Sequence, residues 1–288
     1  MAGVASRLQI QQPQTNERMK AMLIPREHGA WGLLLIPLIT AACIGLPEGR
    51  ALTDLVMLIA ATLTLFWVRT PLEAYFGFGL MKARTPEEKR ATLRLSLLLV
   101  PFALGTLSIL IVAHHHSSLL LIGAMVGAAF ATQSVLRLFG RKTRMWAQMI
   151  GAIGLTATSA AAYEVVTGRL DVKAFAIWFA CWLFAGDQIH YVQVRMRTAK
   201  VQSKMERIRR ARHFLLGQLA LVAVVFIATA WHVLPTLAIA AFVPIVLRGV
   251  FWIASGEKPV DVHWLGVTEL LQSITFGVLL VSTFFLYR

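Results

Sequence analysis

Nine runs of mostly apolar residues, each long enough to cross a bilayer, constrain this chain more than any other feature. They cover residues 27–46, 52–70, 92–113, 118–138, 144–166, 172–194, 212–232, 235–253 and 264–286. A helix needs roughly 20 such residues to span the hydrocarbon core. Backbone polar groups find no water there, so a run of this length must bond to itself as an α-helix. The expected fold class is an all-α polytopic membrane protein with nine transmembrane helices. Composition agrees, since 57% of the 288 residues are hydrophobic and only 15% are charged, unlike a soluble domain. Pro244 interrupts the eighth run, and neighbouring helices can cover the carbonyl it frees.

Charge orients these helices, because Lys and Arg accumulate in cytoplasmic loops. With the N-terminus in the cytoplasm, 24 of the 28 basic residues fall on that side; the other four are Arg50, Arg169, Lys173 and Arg288. The C-terminus then lies on the opposite face. The net charge of +14 is thereby assigned to loops that meet the cytoplasmic membrane surface. The aromatic and basic patterning of a nucleic-acid binder is missing, so no nucleic-acid partner is expected. Cys43 and Cys181 sit in apolar runs without metal-ligand spacing. Residues 1–23 read as a polar cytoplasmic arm without the apolar centre of a signal peptide, and 24–288 as a single bundle.

The connections 70–91 and 197–211 are expected to be long cytoplasmic loops. The second, "RTAKVQSKMERIRRAR", reads either as a solvated loop or as a basic interfacial helix. "AHHHSS" joins runs three and four as a surface loop, because three adjacent histidines do not face one way on a helix. Gly123 and Gly127 form a GxxxG, and Gly151 and Gly154 line the next helix, which implies close helix packing.

Polar residues inside a membrane segment are costly, roughly 2.5–3.5 kcal/mol for a central charge, so each needs a reason. Four groups stand out. Arg26, Glu27 and His28 enter the first helix ahead of Trp31, as an interfacial anchor or a head-group grip. Arg69, Glu73 and Tyr75 lie where helix two is expected to break at Pro71; Arg69 and Glu73 can pair if the helix continues. In "AGDQIHYVQVRMR", residues 185–197, Asp187, Tyr191 and Val194 share one helical face, and His190, Gln193 and Arg197 the adjacent one. Asp187 lies deeper than Arg195 and requires a cationic partner from another helix. Glu269 and Gln272 in the last helix are further members, as are Gln133, Arg137 and Gln148.

At these residues the chain resembles two families. "PREHGAWGLLLIP", "YVQVRMR" and "LGVTELLQSITFGVLL" are similar to the YwiC-like family, bacterial integral membrane proteins without an established activity. That resemblance implies the bacterial inner membrane and a periplasmic C-terminus. Nine helices with long cytoplasmic loops after helices two and six also resemble the UbiA prenyltransferase superfamily. Its helical bundle holds magnesium and a prenyl diphosphate on two aspartate-rich motifs. Against the pattern D-x-x-Y-A-x-Q-D-x-x-D-D, Asp187 and Gln193 match, while Val194, Arg197 and Thr198 stand where acids belong. Against N-D-x-x-D-x-x-x-D, Leu72, Tyr75 and Gly79 stand where acids belong. Arginine and histidine cannot replace magnesium-binding carboxylates, so magnesium is not expected and no other cofactor follows.

The reading from sequence is a UbiA-like bundle with a cytoplasm-facing polar cavity for an isoprenoid, a quinone or an anionic head group. Asp187 and His190 are the acid–base candidates. Arg26, His28, Arg69, Glu73, Tyr75, Tyr191, Gln193 and Arg195 are the binding candidates. A transporter of a small anion or lipid, or an accessory subunit of a membrane complex, are the rivals. A transporter favours inverted repeats and broken helices at the midplane; no clear inverted repeat is evident, and the polar residues gather at one face.

Overall fold

The helices outrun the apolar stretches that announce them. The computed structural model describes residues 17–25, 28–49, 51–77, 81–140, 143–199, 201, 203–254 and 261–286. After a short helix at 17–23, the elements are α1 (His28–Gly45), α2 (Leu52–Phe76), α3 (Pro86–Ser108), α4 (Ser118–Leu138), α5 (Arg144–Thr156), α6 (Thr158–Thr167), α7 (Val172–Thr198), α8 (Lys204–Ala230), α9 (Ile239–Ala254) and α10 (Val262–Leu286). A π-helical turn, Ile109–Ala113, extends α3, and a 3₁₀ turn, Thr236–Ala238, leads into α9. Among the described residues, eight helical spans are long and apolar enough to cross a membrane; Gly29–Gly45 is a shorter apolar helix. The chain is a multi-pass helical membrane protein.

Two expected loops become helix. The basic stretch 197–211 shrinks to the connection 199–203, because α7 continues to Thr198 and α8 starts at Lys204. Lys, Arg, Met, Glu and Ala are good helix formers, and Glu206 pairs with Arg209 at 2.6 Å and Arg210 at 2.8 Å along the helix. Helix two does not break at Pro71 but runs through it to Phe76, and the connection to α3 is only 77–85. An apolar run records where the bilayer is, whereas helix propensity decides where the helix stops.

The chain divides into two compact units: residues 1–28 with 56–115, and residues 29–55 with 116–288. In the first, Thr85 and Glu88 form a capping box that starts α3, with Pro86 in its first turn. Arg18 holds Glu88 at 2.7 Å and the carbonyl of Lys82 at 3.0 Å. The buried Met22, Ala74 and Ala83 pack beneath that contact. Part of the polar arm is therefore helical and docked.

The second unit is built around α5, α6 and α7. In both Arg144–Thr167 and Val172–Thr198, 61% of the most apolar stretch is buried, against 17% in α4, which marks the first two as the centre. α4 instead exposes Leu120 and Leu121, as a lipid-facing helix does. Close packing falls on Gly151, where a Cβ would collide with the Gln133 side chain. Gly123 and Gly127 face open space, so their GxxxG is not a packing seam between described helices. The α5–α6 bend at Ala157 has a local cause: Thr156 and Ser159 bond back to helical carbonyls, and Thr158 gives its hydroxyl to Leu34 O at 2.8 Å.

Candidate functional site

The densest buried polar group of the second unit lies where α7, α8, α9 and α10 meet. Each helix contributes one principal side chain: Asp187, Gln218, Arg248 and Glu269. The expected face of α7 is observed, since Asp187, Tyr191 and Val194 are all buried. Arg248 is the cationic partner that Asp187 requires. Its Nη2 donates to Asp187 Oδ2 at 2.9 Å and its Nη1 to Glu269 Oε2. The three side chains are only 10%, 4% and 12% exposed, so their charges are largely withdrawn from solvent and hold one another in place.

The approach depends on the residue after the arginine. A Cβ at Gly249 would meet the Phe214 ring at 3.2 Å and Gln218 Cδ at 3.5 Å. Glycine lets α9 close on α8, and Gln218 then donates to the second oxygen of Asp187. Below Arg248 lies Tyr191, its ring centroid 3.9 Å from the guanidinium carbon, a cation–π contact. Tyr191, Phe214 and Trp252 form an aromatic wall with centroid spacings of 5.8–6.1 Å. Arg195 stands 5.9 Å over Trp252. Gln188 supports α10 by donating to Glu269 O at 2.7 Å and Ser273 Oγ at 2.8 Å.

Of the residues singled out in sequence, the structure brings Asp187, Tyr191 and Arg195 to this cluster. Among the described residues no hydrogen bond links His190 to Asp187; its ring packs edge-on against Phe214. Gln193 turns to α5, where it bonds Gln148 and accepts from Arg197 at 3.1 Å. Arg69 and Glu73 pair with each other at 2.8 Å within the first unit, and Tyr75 packs on Phe76 there. Arg26 and Glu27 lie outside the described residues, as does the side chain of His28. Arg248 and Gln218 were not anticipated. Their signal was faint: one arginine and one glutamine inside otherwise apolar runs.

The donor set does not fit a magnesium diphosphate site. Both oxygens of Asp187 are taken by Gln218 and Arg248, and Arg248 also occupies Glu269. Among the described residues no group of three His, Cys, Asp or Glu side chains is placed to hold a metal ion.

These features define a multi-pass helical membrane protein with a charge cluster buried between four of its helices. Residues 24–163 match the family model described as YwiC-like protein, so that stretch of the chain is similar to this family. The "PREHGAWGLLLIP" opening lies within the match; "YVQVRMR" and "LGVTELLQSITFGVLL" lie beyond it. No curated protein and no solved structure matches the chain.

Proposed function

We propose that this protein binds a lipid-soluble molecule with a small polar head, of quinone or isoprenoid type, at the Asp187–Arg248–Glu269 cluster. One observation carries the reading. Five buried polar atoms around that cluster have no hydrogen-bond partner among the described residues: Arg195 Nε, Gln218 Oε1, Arg248 Nε, Glu269 Oε1 and Gln272 Oε1. Native interiors rarely leave such atoms unpaired, so a group of them asks for an explanation. Two are donors and three are acceptors, which matches a head that both accepts and donates.

Charge narrows the head. Asp187 and Glu269 balance Arg248 and Arg195, so the four ionisable groups sum to zero. A neutral ring carbonyl or alcohol fits that balance better than a phosphate, which needs surplus positive charge. An apolar groove of about 220 Å³ between α8 and α9 supports the tail: Leu221, Val225, Phe242 and Leu247 line it, and Leu221 lies one turn along α8 from Gln218. The reading retains a UbiA-like bundle in the bacterial inner membrane, with nine crossings and a cytoplasmic N-terminus. A short apolar α1 in addition to the eight long spans supports that count.

The test is mass spectrometry of lipids extracted from protein purified in mild detergent. A quinone or isoprenoid is expected with the unaltered protein and is expected to be lost from Asp187→Leu/Arg248→Met/Glu269→Leu. An unaltered protein without such a ligand would overturn the reading. The topology has its own check: a reporter fused after Arg288 should be active in the periplasm, and a cytoplasmic signal excludes nine crossings with the N-terminus inside.

A further inference from the structure

The second buried polar group of this unit lies just before α4. The histidine triplet is not simply a surface loop. His114 and His115 are exposed, but His116 is 6% exposed. His115 reaches a φ of 61°, a left-handed conformation uncommon for a residue with a side chain, and the next residue turns inward. His116 Nε2 lies 3.0 Å from Asp54 Oδ2, in the first turn of α2. Its Nδ1 lies 3.1 Å from Glu164 Oε1 on α6, and Ser118 donates its hydroxyl to the same Oε1. Glu164 is 2% exposed, and its Oε2 has no partner among the described residues.

Both ring nitrogens therefore face carboxylate oxygens. A neutral imidazole has a single N–H and would turn a lone pair toward one of them. The arrangement is complete only with one more proton than three solvated groups hold at neutral pH. We propose that Asp54, His116 and Glu164 form a proton-binding site that clamps the first turn of α2, the start of α4 and α6 together. The clamp loosens when the proton leaves. It departs from Nε2 through Asp54, the most exposed of the three side chains at 14%, and passes to water.

Electrostatics act in the same direction as the geometry. Burial disfavours the imidazolium, but the hydrogen bonds and charges of Asp54 and Glu164 outweigh it, and the pKa of His116 is raised. The facing groups are Asp54 from α2, Glu164 from α6 and the Ser118 hydroxyl from α4. Other charges near this end engage one another around Tyr163, the neighbour of Glu164. Tyr163 donates to Glu48 at 2.7 Å, Lys173 and Arg169 pair with Glu48, and Asp171 caps α7. A group with a raised folded pKa adds stability that is fully present below its unfolded value, about 6.5 for histidine. That stability is lost as pH rises through the folded value.

The experiment uses the full chain in lipid nanodiscs with isotope-labelled histidine. Among the eight histidines, one NMR signal should titrate above the usual histidine value of about 6.5 and vanish in His116→Gln. Asp54→Asn should lower its midpoint by roughly one pH unit, a tenfold loss of proton affinity. Thermal stability of the unaltered protein should fall as pH rises above about 6.5, the unfolded histidine value, while that of His116→Gln changes less. A His116 signal that titrates at or below about 6.5, or parallel stability profiles for the two proteins, would overturn the proposal. The titration of the unaltered protein decides the matter even if a variant fails to fold.

Discussion

Arg248→Ala is expected to destabilise the protein by about 3–5 kcal/mol, the cost of leaving buried charge uncompensated. The substitution removes the only guanidinium that bridges Asp187 and Glu269 among the described contacts. It also removes the cation that rests on Tyr191. The two carboxylates would then keep only Arg195 as a counter-charge, in a low-dielectric setting where their mutual repulsion is strong. Chemical unfolding in detergent micelles measures the loss. The triple replacement Asp187→Leu/Arg248→Met/Glu269→Leu is the contrast, because exchanging a whole buried ion group for apolar residues is often neutral or stabilising. A triple variant as unstable as Arg248→Ala would show that the cluster holds the fold. One that is stable but without ligand would place its purpose in binding.

Phe214→Ala is expected to cost a similar amount, about 3–5 kcal/mol, through a different mechanism. Phe214 is 1% exposed and touches His190, Tyr191 and Trp252 through ring contacts. Deleting it leaves a cavity whose walls relax only in part, so the lost burial and the void add. The same ring meets Gly249, so the void opens where α8 and α9 approach. Phe214→Leu should lose clearly less, since it retains most of the apolar volume. Equal losses for both variants would mean that ring geometry, rather than filled volume, matters here.

Much of this architecture was legible before any coordinates. The expected start or end of nearly every helix agrees with the observed one to within a few residues, because length and hydropathy are local properties of a run. The misses have a common origin. The loops at 70–91 and 197–211 were read from polarity, but polar residues such as Glu206 and Arg210 stabilise a helix as readily as they solvate a loop. The GxxxG at Gly123 and Gly127 is a spacing, and spacing does not say whether another helix lies opposite.

For the site, Asp187 stood out as a buried acid in need of a cation, and Glu269 as a second acid meant for an arginine. The arginine was harder to find. Arg248 reads as one of several basic residues near a helix end, where the positive-inside rule already accounts for it. His116 was hidden in the same way, by two neighbouring histidines that do remain at the surface.

What the sequence by itself determined is the class of molecule: an all-helical, multi-pass membrane protein, its spans, and the rule that a deep carboxylate must be paired. Those follow from the cost of exposing backbone and charge to lipid, which each segment meets alone. Which partners meet was decided only by the tertiary structure. Asp187 lies 61 residues from Arg248, and His116 lies 62 from Asp54 and 48 from Glu164. A pairing over such separations depends on how helices pack, and therefore on details such as the missing side chain at Gly249 that lets one helix close on the next.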